Sequence, residues 1–152
     1  MISGDRAIII LILKSLPEFT PVDVSIAEEL IDSYLQGGMN SGYHILIAEL
    51  ASKVTGYVCY GPTPLTEGTW DVYWIAVAPE KQGHGVGHTL ISFAEDKIRK
   101  AEGRLVLIET SAKENYAKTR RFYRTQGYMP IACIPDFYAP GDDKLILQKK
   151  LR

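Results

Sequence analysis

A mixed α/β domain, with helices packed on one sheet, is the fold this sequence predicts. Three observations point to it. The periodic segments run α-α-β-β-β-α-β-α-β-β, interleaving helices with strands. A glycine-rich stretch, Gln82–Gly87, joins an extended apolar run to an amphipathic helix. The length of 152 residues, 46% hydrophobic and 23% charged, suits one domain with a full core, taken as residues 1–152.

The elements follow in order. Ser3 or Asp5 is placed to cap a helix over Arg6–Leu16, although the isoleucines of Ala7–Leu13 would equally suit a strand. Pro17 ends it. Thr20-Pro21 supplies a cap and a first-turn proline for a helix over Pro21–Gln36, with Ile26, Leu30, Ile31 and Tyr34 as its apolar face and Gly37-Gly38 as its stop. Tyr43–Leu50 and Thr55–Tyr60 read as a hairpin, and Thr69–Val77 as the next strand, ended by Ala78-Pro79. Leu90, Ile91, Ala94 and Ile98 line one side of a helix over His88–Ala101. Arg104–Thr110, apolar from Leu105 to Ile108, suits a strand in the middle of a covered sheet. Asn115–Gln126 reads as a short helix stopped by Gly127. Tyr128–Ile134 and Lys144–Leu151 are the last strands, separated by a loop over Pro135–Asp143.

Charge and cysteine usage narrow the function. A net charge of −1 gives no basic field for nucleic acid or a membrane surface. The apolar run Ala7–Leu13 is too short to cross a bilayer, and is read as core of a cytoplasmic protein. Cys59 and Cys133 lie in apolar strand-like runs outside any CxxC and are read as buried free thiols of a reducing compartment.

Gly83, Gly85 and Gly87 leave backbone N–H groups bare where a helix dipole begins, an arrangement that binds a phosphate-bearing ligand. A dinucleotide fingerprint needs its third glycine one position later and an acidic ribose partner. A P-loop needs a lysine, which does not follow Gly87. His84 and His88 are spaced i, i+4, but glycines separate them, no HExxH glutamate is present and no third ligand is evident, so no metal is expected.

The block Ile75-Ala76-Val77-Ala78-Pro79-Glu80-Lys81-Gln82-Gly83-His84-Gly85-Val86-Gly87-His88-Thr89-Leu90-Ile91 resembles motif A of the GNAT acetyltransferases, whose pyrophosphate loop reads [Q/R]-x-x-G-x-[G/A]. Asn115 followed by Arg121-Phe122-Tyr123-Arg124-Thr125-Gln126-Gly127-Tyr128 resembles the family's motif B. The segment Ile134–Asp143 is similar to the C-terminal loop of a bacterial and archaeal GNAT branch. The similarity covers Tyr57 to Leu151, about two-thirds of the chain. One departure is that GNAT domains usually begin with a strand before the first helix, and only Met1–Gly4 is available for it.

The resemblance implies a mostly antiparallel sheet splayed at an acetyl-CoA site, and acetyl-CoA as cosubstrate. Gln82, Gly83, His84, Gly85, Val86, Gly87 and His88 would hold its diphosphate. Ile75, Ala76 and Val77 would pair with the pantetheine arm, which Asn115 would also bond, unless Asn115 is simply a helix N-cap. Tyr123 matches the tyrosine usually assigned to protonate the departing thiolate; as a lone residue it would read as a core aromatic. For the base, Asp71 matches one branch and Glu109 another, and water is the third option. Glu109 is preferred because a carboxylate ending an apolar strand is hard to explain as a solvated charge. Tyr138, Asp136 and Trp74 are the candidates for the acceptor side, with the Asp142-Asp143 pair, Tyr34, Tyr60 and Tyr73 as further ones. Lys118, Arg120, Arg121 and Arg124 form either a contact for the CoA 3′-phosphate or a solvated helix face. The acceptor is an amine, on a small molecule or a protein. A homodimer through terminal strands is compatible with the family, and a CoA-binding module without turnover is the competing function.

Overall fold

The computed structural model describes Met1–Arg152 throughout. Two helices come first, α1 (Ser3–Ser15) and α2 (Pro21–Gly37). Strands β1 (His44–Leu50), β2 (Lys53–Pro62) and β3 (Thr69–Val77) follow, then α3 (Val86–Lys100), β4 (Leu105–Ser111), α4 (Ala117–Thr125), β5 (Met129–Ala139) and β6 (Asp142–Lys150).

The ambiguity of Ala7–Leu13 resolves to helix. Ile9, Ile10, Ile12 and Leu13 are all buried there, and burial of that face outweighs the poor helix propensity of isoleucine. The cap differs from expectation: Ile2 takes the N-cap position, and Asp5, at the third helical residue, accepts a hydrogen bond from the Ile2 N–H at 2.7 Å. Within residues 1–152 no strand precedes α1. Helix α2 starts as read, with Thr20 Oγ1 accepting from the Asp23 N–H and the Asp23 carboxylate accepting from the Thr20 N–H at 2.8 Å.

The six strands are ordered β1-β2-β3-β4-β6-β5. Every pair is antiparallel except β3–β4. That parallel pairing ends at Val72 opposite Ile108, although β3 continues to Val77 and β4 to Ser111, so the two strands part in mid-sheet. Just past this point β3 carries a bulge: Cys59 faces Trp74 and Tyr60 faces Val72, leaving Tyr73 as the extra residue. The bulge exchanges the faces of β3. Trp70 and Val72 enter the core beneath α3, whereas Trp74 packs with, and Ala76 belongs to, the core beneath α1 and α2. A side-chain period of two would otherwise have kept all four on one face.

The hairpin β5–β6 is longer than the sequence suggested. Strand β5 runs to Ala139, and the reversal is confined to Pro140-Gly141, with Gly141 at φ 78°. All of β5 is solvent-exposed because it forms a sheet edge, which corrects the expectation for Cys133: that thiol is exposed, while Cys59 is buried. Burial pushes the Cys59 thiol up to about 12. No helix is long and apolar enough to cross a membrane.

Candidate functional site

The glycine loop lies where β3 leaves β4. Gly83 and Gly85 adopt φ values of 77° and 82°, a region costly for residues with a Cβ, and each faces open space. Gly87 serves packing instead: a Cβ there would stand 3.2 Å from the Phe122 ring. Helix α3 begins at Val86 with no side chain capping it, so its first-turn N–H groups point outward. An uncapped helix N-terminus behind two bare glycines fits a phosphate. Gln82 fixes the loop from below, its Nε2 donating to the Val77 carbonyl at 3.2 Å, and Lys118 Nζ donates to its Oε1 at 2.6 Å. His84 Nδ1 lies 2.9 Å from the Gln82 carbonyl, and His88 Nδ1 lies 2.6 Å from Gln126 Oε1, so the two rings have separate partners. Ile75, Ala76 and Val77 lie beyond the last β3–β4 pair, so no strand is paired to that side of their backbone.

Asp71 and Glu109 bracket the divergence. Asp71 precedes the last paired residue of β3 and Glu109 follows the last paired residue of β4. Both alternate with residues of the core under α3, so they lie on the other face of the sheet. Glu109 is not the buried carboxylate the sequence suggested. Val106 and Ile108 are buried, but period two turns Glu109 outward, and its side chain is 52% exposed. Its Oε2 accepts from Lys144 Nζ at 3.0 Å, while Oε1 makes no hydrogen bond within the protein. Lys144 is the buried partner, its ammonium also standing 3.8 Å from the centre of the Phe137 ring. Asp71 Oδ2 accepts from the Thr63 hydroxyl at 2.6 Å.

Tyr123 is buried in the core under α3, with the Phe122 and Tyr128 rings beside it at 5.3 and 6.0 Å. Burial pushes its phenol well above the usual tyrosine range, which keeps it protonated. Asn115 is exposed in a 3-10 turn, Glu114–Tyr116, and Tyr116 takes the N-cap position of α4 expected for Asn115. On the hairpin, Tyr138 is half-exposed, and partial burial, then Glu109, Asp142, Tyr116 and Asp23, push its phenol up to about 12. Asp136 holds the hairpin, accepting from the Gly141 N–H at 2.6 Å with its own N–H bonded to Asp143. Trp74 packs against Phe19, ring centres 5.5 Å apart and planes tilted by 48°.

The basic cluster divides. Arg120 donates to the carbonyls of Ser111 and Lys113, a structural use, whereas Arg121 and Arg124 join it and Ala117 around an open cavity of about 260 Å³. Lys144 and Tyr116 escaped the reading of the sequence. An alternating strand model would have put Lys144 and Glu109 on one face only if the register of β6 against β4 were known. Tyr116 stood one residue from the asparagine that drew attention.

Residues 41–130 match the family model of the acetyltransferase (GNAT) domain. A crystallised GNAT-family protein from Desulfovibrio desulfuricans is 41% identical and superposes with a TM-score of 0.96, over 99% of this chain and 95% of that one. An uncharacterised N-acetyltransferase of Methanocaldococcus jannaschii is 28% identical over 105 residues; the match spans 68% of this chain and 64% of that relative's length. A Salmonella typhimurium protein solved with acetyl-CoA is 21% identical, with a TM-score of 0.74 over 98% of this chain and 90% of its own, which shows the shared fold.

Proposed function

The chain belongs to the GNAT acetyltransferase family, and from that membership we propose that it moves an acetyl group from acetyl-CoA to a primary amine by direct attack of the amine nitrogen. The observation that carries this reading is the uncapped N-terminus of α3 behind Gly83 and Gly85, opening onto the point where β3 and β4 part. Acetyl-CoA supplies the acyl group already activated as a thioester. Backbone N–H groups of Gln82–Gly87, with Lys118 alongside Gln82, hold its diphosphate. Ile75–Val77 offer the unpaired side of β3 to its amide-bearing arm, with Asn115 facing the same ligand.

A primary ammonium has a pKa near 10.4, so a proton must leave before nitrogen can attack. Glu109 is the preferred acceptor of that proton, directly or through water, because its Oε1 is available while Lys144 fixes Oε2. Asp71, its Oδ2 held by Thr63, is the alternative on the same face. As the C–N bond forms and the C–S bond breaks, charge builds on sulfur. Tyr123 donates to that sulfur; a phenol raised by burial stabilises the developing charge as a hydrogen-bond donor before it yields its proton. Trp74, Tyr138 and Asp136 belong to the acceptor side. The test is amine-dependent release of free CoA thiol across small amines, amino acids and peptides. CoA binding that persists without turnover on any amine would replace this reading with a binding module.

A further inference from the structure

The turn between α1 and α2, Leu16–Thr20, is held at two places that belong to different halves of the sheet. On one side the Phe19 ring packs on Trp74, a β3 residue beyond the divergence. On the other, the Tyr116 hydroxyl donates to the Glu18 carbonyl at 2.7 Å, joining residues 98 apart in the chain. Tyr116 follows the diverging end of β4, so the turn is tied to β3 through Phe19 and to the β4 side through Glu18. It therefore bridges the gap between the strands on the face that carries Asp71 and Glu109.

The two ties differ in kind. Phe19–Trp74 is an apolar contact packed against the core under α1 and α2, which holds Leu16. The Tyr116 bond is a single hydrogen bond, and Glu18 and Tyr116 are only half-buried. Burial, then Asp23, Glu18 and Asp142, push the Tyr116 phenol up, and Asp142 and Asp23 act on Tyr138 in the same direction. Asp142 is engaged by Ser111 and Lys113, and Asp23 by Thr20. Of the turn's hydrogen bonds, the one from Tyr116 reaches the β4 side, which makes that hydroxyl its latch there.

Resting on the acetyltransferase reading above, we infer that Tyr116 is a positioning residue for the acceptor. Its hydroxyl clamps the α1–α2 turn across the divergence and so sets the width of the opening through which the amine reaches Glu109. The glycine loop and α3 are not touched by this clamp, and a phenylalanine keeps the ring next to Asn115 and at the start of α4, so its loss should act on the amine more than on acetyl-CoA.

Tyr116→Phe removes the hydroxyl and keeps the ring. Loss of one such bond should raise the amine KM about five- to tenfold, with the acetyl-CoA KM unchanged within about twofold and kcat nearly so. Hydrogen exchange at the Glu18, Phe19 and Thr20 amides should quicken, while the thermal midpoint stays close to that of the wild type. An unchanged amine KM, or a rise in the acetyl-CoA KM of the same size, overturns the inference while wild-type turnover leaves the acetyltransferase reading standing. Unchanged exchange at the turn overturns it as well. A wild type that acetylates no amine overturns that reading, and this inference with it.

Discussion

Two glutamates each hold a lysine of β6, one on each face of the sheet, and they do so in opposite ways. Under α3, Glu95 is the buried member, 5% exposed, and both of its oxygens are taken: Lys149 Nζ donates at 2.7 and 2.9 Å, the Tyr128 hydroxyl at 2.9 Å, and Arg99 stands at 3.6 Å. On the other face the lysine is the buried member, 10% exposed, and Glu109 reaches into water with one oxygen free. A carboxylate with both oxygens engaged is a structural tie between helix and sheet. A carboxylate fixed by one oxygen and open at the other is oriented yet still able to take a proton.

Breaking the first pair should give the largest effect in the molecule. Glu95→Ala leaves Lys149 and the Tyr128 hydroxyl without their acceptor, and removal of one partner from a buried pair costs about 3–5 kcal/mol. Urea denaturation checks this. Turnover per folded molecule should survive, since Glu95 faces the core and not the divergence. A cost below about 1 kcal/mol would mean that the network is dispensable and that the contrast with Glu109 is false.

Glu109→Gln should do the reverse. Its side chain is half in water, so stability should change by less than about 1 kcal/mol. The rate of acetyl transfer should fall about 10²-fold if Glu109 is the base, in line with the usual contribution of a positioned base. Asp71→Asn, assayed beside it, separates the alternatives: the larger loss identifies the base, and full rate in both assigns the proton to water.

The lysines sharpen the same contrast. Lys149→Met takes the nearest cation from a buried carboxylate but leaves it the Tyr128 hydroxyl and Arg99, so it should cost about 2–3 kcal/mol, less than the loss of Glu95. Lys144→Met should be nearly neutral, within about 1 kcal/mol, because Glu109 can turn to solvent and a methionine can keep the contact with Phe137. Chemical denaturation of the two variants in parallel is the check, and equal costs would remove the distinction.

Much of this frame was legible in the sequence, and the exceptions share a cause. Thr20-Pro21, the glycine loop and the run before Glu109 are local signals, and the elements they predict are present. The bulge at Tyr73 is not local: nothing in Trp70–Ala76 says that one residue is left unpaired, since the mismatch exists only against β2. The exposure of Cys133 depends on which strand ends the sheet, a property of topology. The exposure of Glu109 is not legible either, because an unbroken apolar run before it hides the alternation that turns it outward. Lys144 and Tyr116 matter only through partners 35 and 98 residues away.

A third pair marks the lower end of the scale. Arg6 and Asp32 join α1 to α2 through two hydrogen bonds, 2.6 and 2.8 Å, but both side chains are well exposed, 37% and 40%. The hydrogen bond from Arg6 holds the Asp32 carboxyl below its usual range, with burial opposing and the Arg6 charge assisting. A depressed carboxylate stabilises the fold above its unfolded pKa, near 3.9, and that contribution fades as pH falls through the folded value. Solvent screens it, so Asp32→Asn should lower the thermal midpoint at pH 7 by no more than about 2 °C. The gap between wild type and variant should narrow as pH falls below about 4, and narrow in high salt. Thermal melts at pH 7 and pH 3 test the sign. A gap rivalling that of Glu95→Ala would show that bidentate geometry outweighs burial in this fold, and the ranking of all three pairs would have to be rebuilt on hydrogen-bond number instead of solvent access.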